Sequence, residues 1–234
     1  MMHLTLREHL VDLVYPSQCA GCGRPHPAAI CGPCWRRLAL RAVGTDADIA
    51  ALARPVAFDG YRSGGEYRGA VKDMVLRLKD SERRMAGPLA CLMLVAAGND
   101  PRYLAPDAIA CVPSTRPKIA RRGYNPARAL ALEYAALTGA PLIDVLAVAR
   151  KTTDQDAIPG HSRWANVEEA FAADGPVPQG RIILVDDVVT TGATADACSR
   201  VLRREGAVSV HLLVAARAVL RRVAITASSA RITQ

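Results

Sequence analysis

Apolar residues fall at helical spacing near the N-terminus, where Leu4, Leu6, Leu10, Val11, Leu13 and Val14 predict a short amphipathic helix over 4–14. A cysteine cluster rich in Gly and Pro follows at 19–34, then a second short helix over 35–43 and a polar linker to 53. Between 67 and 79 the positions Ala70, Val71, Met74, Val75 and Leu78 keep a helical period, and another helix is expected over roughly 82–97. Beyond Pro106 the pattern changes. Short apolar runs at 107–112, 181–185 and 209–214 read as buried strands, with a weaker one at 141–147, and helices are expected over 127–137 and 194–205. Residues 151–164 are polar and without pattern, and the last dozen read as a frayed tail. Strands alternating with helices at this spacing predict an α/β fold, a parallel sheet with helices on both faces.

Composition narrows the chemistry. Half of the 234 residues are apolar but only 4% are aromatic, which favours an aliphatic core over a base-stacking surface. The net charge of +8 attracts polyanions, whether nucleic acid, anionic lipid or a phosphorylated small molecule, without choosing among them. No apolar run approaches the roughly 18 residues of a membrane span, and the N-terminus has no signal-peptide core. A cytoplasmic address is therefore expected, where thiols stay reduced and paired cysteines read first as metal ligands.

The most demanding pattern is Ile182-Ile-Leu-Val-Asp-Asp-Val-Val-Thr-Thr-Gly-Ala-Thr194. It reads as a buried strand ending at Val185, with Asp186 and Asp187 at the carboxyl edge of the sheet, where ligands of open α/β sheets bind. Thr190, Thr191, Gly192, Ala193 and Thr194 then form a tight turn into a helix. Its exposed N–H groups and helix N-terminus suit a phosphate. Two acids beside an anion site need something neutral or cationic between them. A ribose fits, its hydroxyls on the carboxylates and its 5-phosphate in the loop, and magnesium suits the same face. The plainer alternative is an ordinary strand–turn–helix with capping threonines. A Walker A loop is excluded, because no Gly-Lys-Ser/Thr is present.

Two further groups stand out. Arg116, Lys118, Arg121, Arg122 and Arg128 form a basic run with no acid between Ala108 and Leu132, and arginine forks suit bidentate phosphate contact. Cys19-x-x-Cys22 and Cys31-x-x-Cys34 are two CxxC knuckles whose four thiolates can close a tetrahedral structural zinc site. An iron–sulfur cluster or disulfides are the alternatives. Cys91, Cys111 and Cys198 read as buried thiols.

Four blocks, residues 19–34, 67–79, 111–128 and 150–171 followed by the Asp-Asp…Thr-Thr-Gly loop, together resemble the ComF family of proteins associated with competence and DNA uptake. The loop itself looks like the phosphoribosyl-pyrophosphate motif of type I phosphoribosyltransferases. The resemblance implies a phosphoribosyltransferase-like domain over 53–220, with a hood at about 55–105 and a core at about 106–220. It would lie between an N-terminal helix and zinc module (1–52) and a tail (221–234). It implies pyrophosphate binding by the 112–125 segment, hence by Arg116, Lys118, Arg121 and Arg122. It also implies a lid over 151–166 carrying Lys151, Gln155 and Arg163. Tyr67, Arg68, Lys72 and Lys79 become candidates for selecting an acceptor. Where the family usually reads Pro-Val-Pro and Asn-Gln, this chain has Cys111-Val112-Pro113 and Asn125-Pro126.

Two functions are in view. One is phosphoribosyl transfer serving DNA uptake or nucleotide metabolism, with phosphoribosyl pyrophosphate and magnesium as ligands and Asp186 and Asp187 beneath the reacting sugar. The other is a non-enzymatic module that binds single-stranded DNA, using the zinc knuckle and the basic helices with Arg200, Arg203 and Arg204 or Lys72, Arg77 and Lys79. Competence-machinery proteins would be partners of either.

Overall fold

The computed structural model describes residues 18–39, 55–149 and 170–218. The expected helix at 4–14, the polar segment with Lys151, Gln155 and Arg163, and the tail lie outside these residues. In the described chain, helix α1 (Gly32–Ala39) closes the cysteine module. Strand β1 (Gly60–Ser63), helices α2 (Gly69–Lys79) and α3 (Ala86–Ala97) and the short α4 (Pro101–Leu104) follow. Then come β2 (Ala108–Cys111), α5 (Arg116–Arg122), α6 (Pro126–Thr138), β3 (Leu142–Ile143), β4 (Leu146–Val148) and β5 (Phe171–Ala173). Strand β6 (Arg181–Val189), helix α7 (Ala193–Arg204) and strand β7 (Ser209–Arg217) complete the order.

Five strands form one sheet in the order β1-β7-β6-β2-β3, every neighbouring pair parallel. Strands buried on both faces need apolar residues throughout, and Ile182 to Val185 and Leu212 to Ala216 are fully buried. The connection β2–α6–β3 steps one way along the sheet, and β6–α7–β7 steps the other. Both crossovers are right-handed by the usual rule, so α6 and α7 cover opposite faces. Helices α3 and α6 pack on each other and share one face, whereas α7 meets β5, β6 and β7 on the other. Ala29, Trp35 and Leu38 of the cysteine module join the same apolar core. The parallel sheet covered on both sides, with an N-terminal four-cysteine module, is the fold class expected from the sequence.

Several elements differ from expectation. β6 continues four residues past Val185, so Asp186 and Asp187 lie inside the strand. β7 is what carries it on, pairing with β6 as far as Val189 and Arg217, whereas β2 stops at Cys111 opposite Val185. The basic 116–122 segment is a helical turn, not a loop. The 141–147 run splits, β3 joining the main sheet and β4 pairing antiparallel with β5. Residues 60–63 were not expected as a strand, yet β1 pairs with β7 from Gly60–His211 to Ser63–Val214. The segment read as a hood thus supplies an edge strand and two covering helices to the same layered body.

Close approach at that edge gives a direct test. Gly64 donates its N–H to Val214 O at 2.9 Å, and a Cβ there would stand 2.9 Å from Ala215 O and 3.2 Å from Leu92 Cβ. Gly64→Ala is expected to cost about 1–3 kcal/mol by overpacking, read as a lower denaturant midpoint at unchanged slope. A wild-type midpoint would contradict this packing.

Candidate functional site

The reversal of winding between β2 and β6 opens a crevice at their carboxyl ends, the usual ligand position in open parallel sheets. The two segments singled out in the sequence meet there. From β6 come Asp186, Asp187 and the Thr-Thr-Gly turn, and from β2 comes the loop 112–115 leading into α5.

Adjacent strand residues point to opposite faces, so the twin acids do not form one pincer. Asp187 meets Lys79 at the end of α2, Nζ to Oδ1 3.0 Å, with 25% and 15% of the two side chains exposed. Asp186 lies on the α7 side, where its charge helps raise the buried Cys198 thiol, though burial is the main cause. Burial also pushes Asp186 up, to about 7, with the neighbouring Asp187 charge adding to the rise. The Asp187 N–H, donating to Asp186 Oδ1 at 2.8 Å, and the Lys79 charge act the other way.

After Val189 the chain turns through Thr190 and Thr191 to Gly192, whose left-handed backbone (φ 80°, ψ 0°) favours glycine. Gly192 is the N-cap of α7 and offers no side chain, so the first turn has no side-chain cap. Within the turn, Ala193 N–H makes a long contact to Thr191 Oγ1 at 3.5 Å. Thr194 stands at the second position of the helix. The acid in this first turn, Asp196, is drawn away: it accepts from Ala57 N–H at 2.6 Å and pairs with Arg200 at 2.9 Å. Uncapped N–H groups without a local carboxylate are the requirement for an anion seat.

Across the crevice, Asn125 braces the turn after β2. Its Nδ2 donates to Val112 O (2.9 Å), while Oδ1 accepts from Ser114 Oγ and Ala127 N–H, both at 3.0 Å. Pro126, a departure from the resembled pattern, sits at the first position of α6, where a missing N–H costs nothing. On α5, Arg116 and Arg121 are exposed, and Lys118 and Arg122 are partly buried. Arg128 leaves the basic run. It grips Asp144 with two nitrogens, at 3.0 and 2.7 Å.

The four cysteines form a separate centre. Their sulfurs lie within 4.8 Å of one another, and Cys22 Sγ is 3.9 Å from Cys31 Sγ. Tetrahedral zinc–thiolate geometry, with bonds of about 2.3 Å, sets sulfurs about 3.8 Å apart, so the donor set fits. Burial raises the Cys19 thiol, but N–H groups of Cys31 and Gly21, each 3.3 Å from its sulfur, and of Cys22 prevail and bring it down to about 6. Arg37 adds a guanidinium contact to Cys34 Sγ at 3.2 Å. Thiolates so supported are metal ligands in waiting. His26 stands outside the cluster, its Nδ1 accepting from Ala28 N–H at 3.1 Å.

Sequence reasoning placed Lys79 nearby but missed its partner. A cation on one element and an acid on a distant strand leave no periodic signal. The DNA-binding helices it proposed are largely neutralised: Arg77 by Glu82, Arg200 by Asp196, Arg203 by Asp59 and Arg204 by Glu205.

Residues 10–44 match the double zinc ribbon domain. DNA utilization protein YhgH of Salmonella typhimurium is 29% identical over 203 residues, 84% of this chain and 82% of that protein. Its namesake in Escherichia coli is 26% identical over 83% of this chain and 81% of its own. Competence protein F of Haemophilus influenzae is 32% identical over 117 residues, 48% of this chain and 51% of its own. The chain is similar to these DNA-utilization and competence proteins. Among solved structures, the allosteric regulatory enzyme of purine biosynthesis is 23% identical over 63% of this chain, with a TM-score of 0.37. Glutamine phosphoribosylpyrophosphate amidotransferase from B. subtilis is 22% identical over the same share, with a TM-score of 0.36. The chain spans 27% of the length of each. Purine phosphoribosyltransferase from Pyrococcus horikoshii is 17% identical over 61% of this chain and 68% of its own, with a TM-score of 0.27. Among the described residues, no helix is long and apolar enough to cross a membrane.

Two predictions follow from these centres. The purified protein is expected to carry about one zinc ion per chain, and Cys34→Ser to lose most of it, as read by metal analysis and a lower melting temperature. For Asp186, the ordinary value is 3.8 and the folded value about 7. Between them the folded state holds a proton that the unfolded chain lacks. The stability this group contributes is therefore full below pH 4 and lost as pH climbs through 7. Asp186→Asn is expected to melt as the wild type does at pH 4 and at least about 2 °C higher at pH 8. An equal difference at both pH values would refute the raised titration.

Proposed function

We propose that the protein binds phosphoribosyl pyrophosphate with magnesium in the β2–β6 crevice, and that this binding serves DNA uptake or utilization. One observation supports the reading above all: a glycine-capped helix N-terminus directly follows two strand-borne acids, and the neighbouring strand β2 leads into a basic helix at the same topological switch point. In this reading the 5-phosphate sits on the N–H groups of residues 192–194, with the Thr190, Thr191 and Thr194 hydroxyls beside it. The ribose hydroxyls donate to Asp186 and Asp187 across the edge of β6 that β2 leaves open, one acid on either side of it. Arg116, Lys118, Arg121 and Arg122 face the pyrophosphate.

Magnesium enters with the ligand, because it binds through substrate phosphates and keeps several waters. The one group of three or more metal-donor side chains among the described residues is the cysteine cluster. When bound, magnesium would neutralise charge on the pyrophosphate. The chain's own part is to hold the sugar phosphate, orient the ribose and gather positive charge where the leaving group departs. Phosphoribosyl transfer to an acceptor is the chemistry such a site is built for. Lys151, Gln155 and Arg163 remain proposed as its lid.

A second reading has an observation of its own. A groove of about 870 Å³ on the cysteine module is lined by Cys22, Cys31 and Cys34 of the cluster and by Arg24, His26, Arg36 and Arg37, a largely apolar hollow rimmed by positive charge that favours single-stranded DNA. The homologues' names support a DNA role, and competence-machinery proteins are the proposed partners.

Calorimetry separates the readings. The wild type is expected to bind phosphoribosyl pyrophosphate in the presence of magnesium, and Asp186→Asn/Asp187→Asn to bind it at least tenfold more weakly. Unchanged binding by the double variant would defeat the crevice reading. DNA retention, if it rests on the zinc-module groove, falls steeply with salt, survives that double substitution and is lost in Arg24→Ala/Arg36→Ala.

A further inference from the structure

A phosphate seat immediately beyond two carboxylates has an electrostatic problem. At a separation of about 6 Å in a partly buried site, each uncompensated negative charge opposes an incoming phosphate by an amount far from negligible. Among the described residues, one cation is bound to either acid: Lys79, 3.0 Å from Asp187.

Lys79 does not reach this place by chance of a mobile side chain. It sits in the last turn of α2, and that turn is held on both sides of it. Tyr124, just beyond α5, donates its hydroxyl to Leu78 O. Ser81, in a left-handed backbone conformation (φ 80°), donates to Arg122 O at 3.0 Å. Arg77 donates to Gln18 O at 3.2 Å, next to the first cysteine of the zinc module, while gripping Glu82 at 2.9 and 2.7 Å. A non-glycine residue with positive φ costs free energy that the surrounding contacts must offset. The turn is therefore fixed, and with it the root of the Lys79 side chain, whose ammonium is held by Asp187.

We propose that Lys79 is a positioning residue of the anion site: its ammonium cancels the Asp187 charge and holds that carboxylate in place, so that a phosphorylated ligand can settle beside the acids. This rests on the crevice reading above and adds a role for α2 that the reading does not require. A residue that acts only through folding would show no dependence on the charge of its partner, which supplies the test.

Inorganic pyrophosphate is the probe, because it lacks the ribose hydroxyls that would involve Asp187 directly. Binding is measured by calorimetry at low ionic strength, where such charges are least screened. Lys79→Met is expected to weaken binding about tenfold and Lys79→Arg to restore most of it. Asp187→Asn, which leaves the lysine unneutralised, is expected to strengthen binding. Lys79→Met/Asp187→Asn is expected to return close to the wild type. Undiminished binding by Lys79→Met, or a double variant as weak as Lys79→Met, overturns the proposal. If Lys79→Met does not fold, Lys79→Gln and the opposite-sign effect of Asp187→Asn decide it on the same terms. A wild type that binds neither pyrophosphate nor phosphoribosyl pyrophosphate overturns the crevice reading and this inference together. A wild type that binds both while the variants do not differ overturns this inference alone.

Discussion

Everything at the candidate site depends on how far one strand outruns its neighbour. β6 stays paired with β7 to Val189, but β2 leaves it at Val185. Four residues of the central strand thus keep sheet geometry on one side and face a cleft on the other. Because the connections from β2 and β6 wind in opposite directions, neither crossover helix closes that cleft. The acids, the left-handed Gly192 and the N-terminus of α7 are delivered to it by the backbone of one strand. The loop after β2, braced by Asn125, forms the other wall.

This arrangement also explains an energetic oddity. Carboxylates normally mark the end of a buried strand, since a desolvated charge is costly. Here Asp187 is tolerated by an ion pair with Lys79, and Asp186 by holding its proton to about neutral pH. Neither device would be needed at a solvated strand end. That two neighbouring acids use different devices follows from alternation, which sends them to environments on opposite faces of the sheet.

Much of this was legible in advance. The apolar run at 182–185 and the Thr-Thr-Gly turn located β6 and α7 to within a few residues, since a buried parallel strand and a helix N-terminus each have strong local signatures. Two CxxC pairs announced the thiolate cluster by spacing alone. Other features had no local signature to read. β1 is four residues, Gly-Tyr-Arg-Ser, whose pairing is set by β7 far along the chain. α5, Arg-Pro-Lys-Ile-Ala-Arg-Arg, buries no side chain and so lacks the periodic stripe from which helices are recognised. The extension of β6 through two charges was invisible because it is imposed by its partner, and the Lys79–Asp187 pair because it joins distant segments.

The margins of the main sheet carry a consequence for the molecule in a crowded solution. Among the described residues, its strands β6 and β7 are nine residues long and β2 four, and the outermost, β1 and β3, are four and two. An unpaired strand is a template on which another chain can crystallise its own backbone, and the hazard grows with its length. By tapering to such brief borders, a sheet with a largely aliphatic interior denies neighbours the foothold that ordered aggregation requires.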